Sequence, residues 1–358
     1  MAFPEGPWVE TLCARLLASP AWGRRRLIRY FFTPAQVSCV LTQLAERSLT
    51  ALNTDVVFAV ECARAAVACA RRASHALITT QERADLRAET WAALANALRV
   101  AEDHSGSRAA WRRADAFEAR GTGSPVLRGE ILERKASLSR SFRRFTQALR
   151  QLRQAEKIYR AIGDRHRLAR ALLADGRTHH TLGHFEAGRA RAVAALETLG
   201  TRMAAEAPDL ALWSLHLIAD CLADMKKPHA AQAWMGIYER AYAEAGGMVE
   251  LRGQWLKGKV HAALEEWDEA AEYLDHVRKE FTARELFYDA ALCGVDLCLV
   301  YARKGRFSKV FLLAQEMYPV FTAKQIPREA AATLILFADA ARELGASTEG
   351  LLKLAAEL

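Results

Sequence analysis

Proline is scarce in these 358 residues, with nine in all, and glycine numbers 20. So few helix breakers exclude a turn-rich β architecture and a low-complexity linker. Neither sign of charge dominates: 50 Lys and Arg face 42 Asp and Glu, for a net +8. Together with a hydrophobic share of 51%, that balance excludes a disordered polyion. No apolar run approaches the roughly 20 residues of a membrane span, so no membrane partner is expected. The segment from Met1 to Trp8 lacks a basic stretch followed by an apolar core, so no secretory signal is expected there. Nucleophile-elbow, P-loop and Rossmann glycine patterns are all missing. The expectation is a protein that is not an enzyme and uses no cofactor. The run Gly121-Thr-Gly-Ser-Pro125 is too short to cradle phosphate and reads as a linker. Glu265, Glu266, Asp268 and Glu269 fall at a turn and the start of a helix, where they suit solvent and the helix dipole better than acid-base work.

Cysteines are present, but not in a pattern. There are seven, an odd number, and no C-x-x-C occurs. That is the usage of a reducing compartment, where Cys packs as a small hydrophobe. A cytoplasmic location follows as the expectation. Cys62 and Cys69 are seven apart on a helical pattern and should pack in the core. His180 and His184 stand four apart, a spacing that can clasp a metal, but H-E-x-x-H is absent and the pair is incomplete as a ligand set. No metal site is expected; helix surface or groove lining is the plainer reading.

What the chain has in abundance is alanine, about a fifth of all residues, which favours helix strongly. It also has a period. The segments at 182–192, 264–274 and 304–314 each carry a short polar turn, an aromatic residue and an amphipathic run. Their aromatics are Phe185, Trp267 and Phe307, spaced by 82 residues (two units of 41) and by 40. Units beginning at Ala88, Gly129, Ala169, Leu212, Leu251 and Ala291 share one frame, with starts 41, 40, 43, 39 and 40 residues apart. The first carries Trp91, Leu94, Ala95, Leu98, Ser107, Trp111 and Ala114. The third carries Leu172, Gly176, Phe185, Gly188 and Ala195. In the fourth, Tyr238 replaces a small residue.

This frame resembles the tetratricopeptide repeat (TPR) family, whose usual unit is about 34 residues and two antiparallel helices. Small residues at unit positions 8, 20 and 27 let backbones approach where the helices cross, and bulky neighbours fill the grooves beside them. The resemblance implies an all-α fold, a right-handed α-α superhelix of TPR-like solenoid type with a helical N-terminal cap region. Three regions are expected: 1–86, helical, either a divergent repeat plus cap or a separate module; 87–327, six TPR-like hairpins; and 328–358, capping helices that shield the open end of the stack. Within 1–86 the pattern predicts helices over 8–18, 22–31, 34–50 and 55–76. Gly163, Gly200 and Gly246-Gly247 should end helices, and Pro327 should open one. Arg24, Arg25, Arg26 and Arg29 beside Trp22, Tyr30, Phe31 and Phe32 form either an anionic-partner contact or a solvated face, and a charge run alone favours the second.

In TPR proteins the first helix of each unit lines a groove. Carried over position by position, the resemblance implies groove residues Asn96, Arg99, Arg134, Arg140, Arg170, Arg177, His180, Trp213, His216, Trp255, Lys259 and Arg303. Asp220 and Asp296 fall at groove positions too. The two tryptophans are either core residues or binding anchors. Only Asn96 matches the clamp with which some family members hold a C-terminal carboxylate, so that specificity is not expected.

The charge is localised. Residues 127–170 carry 13 basic and four acidic residues, a net of +9, whereas 250–296 carry 11 acidic and six basic, a net of −5. A basic patch attracts acidic groups or phosphate and speeds encounter. The expectation is therefore a scaffold or regulatory adaptor, of the bacterial TPR-like kind, that holds an acidic peptide or protein partner in its groove. Two alternatives stand beside it: nucleic-acid binding through 127–170, and a ligand-sensing repeat domain that regulates an effector.

Overall fold

Helix punctuation in the sequence is strong, and the computed structural model follows it. The structure describes residues 7–323, apart from 21–22, 25, 29–33, 53–54, 72–78 and 102, together with isolated positions beyond 323. The expected caps over 328–358, the opening Pro327, and Arg25, Arg29, Trp22, Tyr30, Phe31 and Phe32 lie outside the described residues. No strand occurs among the described ones. The chain divides into two compact units, residues 1–171 and 172–358.

In the first unit, α1 (Pro7–Ala18) packs on α2 (Pro34–Ala51) and α3 (Val56–Ala70). The last was expected to run to 76 and stops at Ala70. Asp55 caps it by accepting from the Phe58 N–H at 2.8 Å, which satisfies a donor the helix itself cannot. Helices α2 and α3 pack as a hairpin. Cys13, Cys62, Cys69, Leu16 and Leu44 are buried together there, so the seven-residue cysteine spacing is a core stripe. Arg24 is also structural. Its guanidinium donates to the Leu16 and Ser19 carbonyls at 2.9 and 3.0 Å and pairs with Glu61 at 2.6 Å.

Helix α4 (Thr80–Val100) opens on a reciprocal Thr79/Glu82 capping box. It folds back on α5 (His104–Glu118), and α6 (Pro125–Ser141) on α7 (Phe145–Ile162). At the α4–α5 crossing Ala95, Ser107 and Ala114 are buried, and the Ser107 hydroxyl donates to the Ala95 carbonyl at 2.8 Å. These are the small positions of the frame. Nothing larger fits where two backbones come this close.

The second unit continues the pattern. Helix α8 (Arg165–Thr181), which begins in the first unit, leads into α9 (Phe185–Glu206). Then come α10 (Pro208–Asp224) with α11 (Pro228–Ala245), α12 (Gly247–Ala263) with α13 (Trp267–Ala283), and α14 (Phe287–Arg303) with α15 (Phe307–Ala323). A Cβ on Gly176 would stand 2.9 Å from the Gly188 carbonyl oxygen, so the crossing of α8 and α9 needs glycine. Gly200, with φ 66° and ψ 173°, ends one helical run inside α9, and a second follows across the kink. Tyr238 fits where a small residue was expected because its hydroxyl reaches the Leu215 carbonyl at 3.3 Å.

Five of the hairpins share one turn. Arg143, Gly183, Lys226, Glu265 and Gly305 all have positive φ and stand two residues before the second helix. The residue after each donates its N–H five residues back, to the carbonyls of Ser139, His179, Leu222, His261 and Tyr301, at 2.8–3.0 Å. This is the left-handed helix stop that satisfies otherwise orphaned carbonyls. Three of the five residues are not glycine, so the backbone demand is met against side-chain preference.

Candidate functional site

First helices of the second unit lie side by side, α10 on α12 and α12 on α14. Positions expected to line a groove hold three hydrogen-bonded sets that act on one another electrostatically as one polar network. His180 on α8 bonds through Nε2 to Asp224 Oδ2 at 2.8 Å and lies 3.3 Å from Asp220 Oδ2. Lys259 on α12 donates to Asp220 and, at 3.1 Å, to Asp224. Trp255, one turn earlier, donates its indole N–H to Asp296 Oδ2 on α14 at 2.8 Å and sets its ring edge-on to Phe281 at 5.6 Å. His216 bonds through Nδ1 to the Tyr242 hydroxyl and meets Trp213 edge-on at 5.4 Å.

Burial and charge act against each other here. Burial would raise Asp220, but Lys259 and His180 hold it well below the usual carboxylate range. Burial opposes the charge on His180 and Lys259, yet Asp220 and Asp224 keep both above their ordinary values. Asp296 has only Trp255 and a more distant Lys259, so burial pushes it up to about 6. Burial drops His216 to about 4, so it is neutral near pH 7.

His180, Asp220 and Asp224 bring one ligand atom each within 4.8 Å of one another. The Lys259 ammonium already occupies that charge, since it bonds both carboxylates. A metal would have to displace it, and the ion pair accounts for the cluster without one. His180 and His184, whose spacing could clasp a metal, take different partners. The ring of His184 lies 5.8 Å from that of His179, while His180 turns to the carboxylates of the next hairpin. Those carboxylates are 40 and 44 residues away, beyond any local spacing rule. Applying the repeat to charge would have found them.

One-repeat pairing recurs throughout. Arg252 meets Asp289 at 3.0 Å and Arg278 meets Glu316 at 2.9 Å, 37 and 38 residues apart. In the first unit Arg167 meets Glu130 at 2.8 Å, and Arg170 grips Glu133 with two parallel bonds of 2.6 and 2.9 Å, both 37 residues apart. Arg170 is therefore already committed to a carboxylate within its own unit. Arg134 is half-buried and acts electrostatically on Glu89. Asn96 accepts from Arg99 at 3.2 and 3.0 Å. Arg177 and Arg303 are exposed.

Within the basic excess of 127–170, Arg167 and Arg170 are neutralised, whereas Arg150, Arg153, Lys157 and Arg160 form an exposed stripe along α7, the second helix of its hairpin. Burial pushes the Cys62 thiol up to about 11, and those of Cys69, Cys221 and Cys298 up to about 12. All four are protonated at neutral pH and poor nucleophiles. An open, polar depression of about 380 Å³ lies apart from the network and includes Asp268, Asp275, Tyr301 and Lys304 in its lining. No helix among the described residues is long and apolar enough to cross a membrane.

Sequential helix hairpins, small residues at their crossings and a shared turn define an all-α, TPR-like helical-repeat fold. Solved structures share it. The crystal structure of aspartyl phosphate phosphatase F from Bacillus subtilis matches with a TM-score of 0.60 at 12% identity, over 83% of this chain and 72% of that one. A Rap protein complexed with competence and sporulation factor matches at 0.57 and 12%, over 85% and 92%. The apo form of RapI matches at 0.54 and 11%, over 85% and 98%. No family model matches the chain, and no curated protein does.

Proposed function

We propose that this chain is a cytoplasmic, non-enzymatic regulatory adaptor that binds a peptide segment or protein partner on the face formed by its first helices. The observation that carries the reading is the continuous polar surface built by α8, α10, α12 and α14, in which His180, Asp220, Trp255, Lys259 and Asp296 are locked by one another. Locked side chains present a surface at low entropic cost, which favours association. A protein of the same fold has been captured with competence and sporulation factor, which supports a binding role here. Another is named a phosphatase. The non-enzymatic reading rests on His180 being tied into ion pairs and on the buried thiols being protonated.

The test is co-purification at native salt, with partners identified by mass spectrometry. The double variant Arg177→Glu, Arg303→Glu places acid at exposed first-helix positions and should lose partners that the wild type retains. If every partner stays bound, the reading fails.

The α7 stripe favours a second reading, binding of a polyanion such as nucleic acid. Residues 150, 153, 157 and 160 repeat at helical spacing on one exposed face. In that case affinity falls steeply with salt, and Arg150→Glu with Arg153→Glu abolishes it while the first-helix variant does not.

A further inference from the structure

Arg99 and Arg140 are the exception to one-repeat pairing. They occupy the same position, the twelfth, in the units that begin at Ala88 and Gly129. They therefore recur on one face of α4 and α6, first helices that pack side by side. Arg99 reaches across, donating to the Ser141 hydroxyl at 3.3 Å beside Arg140 in the chain, and it also donates to the Asn96 side-chain oxygen. Among the described residues neither guanidinium has a carboxylate partner, although Arg167 and Arg170 in the same unit each have one. Burial holds both below the usual arginine range, and Arg99 lowers Arg140 further. Two half-buried positive charges thus act on one another with no carboxylate paired to either among the described residues. The C-terminal dipoles of α4 and α6, each worth roughly half a negative charge, offset only part of that.

We propose that Arg99 and Arg140, with the Ser141 hydroxyl, form a subsite for one phosphoryl group. The donor count selects phosphate over carboxylate. Two guanidinium forks and a hydroxyl outnumber the two oxygens of a single carboxylate, whereas a phosphoryl group offers three. Guanidinium forks also match phosphate oxygens in pairs. The proposal deepens the partner-binding reading by naming a chemical group the partner presents. The two stand on separate measurements, since the subsite is probed with free phosphate and the partner by co-purification, so either can fail alone.

Calorimetric titration and thermal unfolding with inorganic phosphate test it, at pH 7.5 and with sodium chloride holding ionic strength constant. The wild type should bind one phosphate and unfold at a higher temperature in phosphate than in chloride. R99Q and R140Q should each weaken phosphate binding about tenfold or more. In chloride both should unfold at or above the wild-type temperature, because a repulsion has been removed. R150Q/R153Q, on the outer stripe of α7, should respond to phosphate like the wild type. Four results would each overturn the subsite: equal unfolding in phosphate and chloride, an undiminished response in R140Q, a match between acetate and phosphate, or R140Q unfolding well below the wild type in chloride.

Discussion

The first helices of the two units carry charge in opposite ways. In the second unit, Asp220 and Asp224 are met by His180 and Lys259, and Arg252 by Asp289, each partner coming from a neighbouring hairpin. In the first unit Arg167 and Arg170 are met likewise, but among the described residues no carboxylate pairs with Arg99 or Arg140. Charge in a repeat array is therefore no guide to what is available for binding. What matters is whether a carboxylate stands one repeat away. A matched pair stiffens the stack, while an unmatched one is a vacancy for an anion.

The largest test of that contrast removes one cation from each side. Lys259→Met leaves Asp220 and Asp224 with only His180 and should cost about 3 kcal/mol in chemical denaturation. Arg140→Gln should cost nothing measurable. Equal losses from the two would break the comparison.

A smaller effect isolates the one acid in the network that lacks a close cation. Asp296 has a folded pKa near 6, against about 3.9 unfolded. A carboxyl raised on folding adds stability that is complete below the unfolded value and lost as pH rises through the folded one. Asp296→Asn can still accept from Trp255, and should stabilise by about 1–2 kcal/mol more at pH 7.5 than at pH 4.5. His216, depressed to about 4, has the opposite sign: its contribution is present above about 6.5 and fades toward pH 4. The wild type should therefore vary less with pH over this window than the Asp296→Asn variant, which retains only the histidine's dependence. A mutant profile as flat as the wild type's would remove Asp296 from the account.

The smallest effect should not distinguish the units at all. Arg143→Gly in the first and Glu265→Gly in the second relieve the same left-handed strain, with φ of 56° and 66°. Each should add about 0.5–1 kcal/mol, read as the shift in denaturation midpoint. A difference between them would show that side-chain surroundings reach even the turns.

Much of the fold was legible. The small residues Ala95, Ser107, Gly176 and Gly188 announced the crossings, and aromatics at Phe185, Trp267 and Phe307 marked where second helices begin. Gly200 does end a helical run, but a positive-φ glycine does not say whether a turn or a kink follows, and the structure shows a kink. Of the groove positions, His180, His216, Trp255 and Lys259 do fall into one network together with Asp220 and Asp296. Asp224 was missed, and the carboxylates of His180 were judged absent, because they were sought at local helical spacing.

The sequence by itself determined the helices, their period and the positions that share a face. These follow from side-chain volume, turn chemistry and periodicity, all local properties. Only the tertiary structure decided which charges are paired. Pairing depends on the offset between successive hairpins and on which side chains reach across it, and neither is written at any single residue. Arg170 and Arg140 look alike in the sequence. One is held by Glu133 on the neighbouring first helix, and the other meets no carboxylate there.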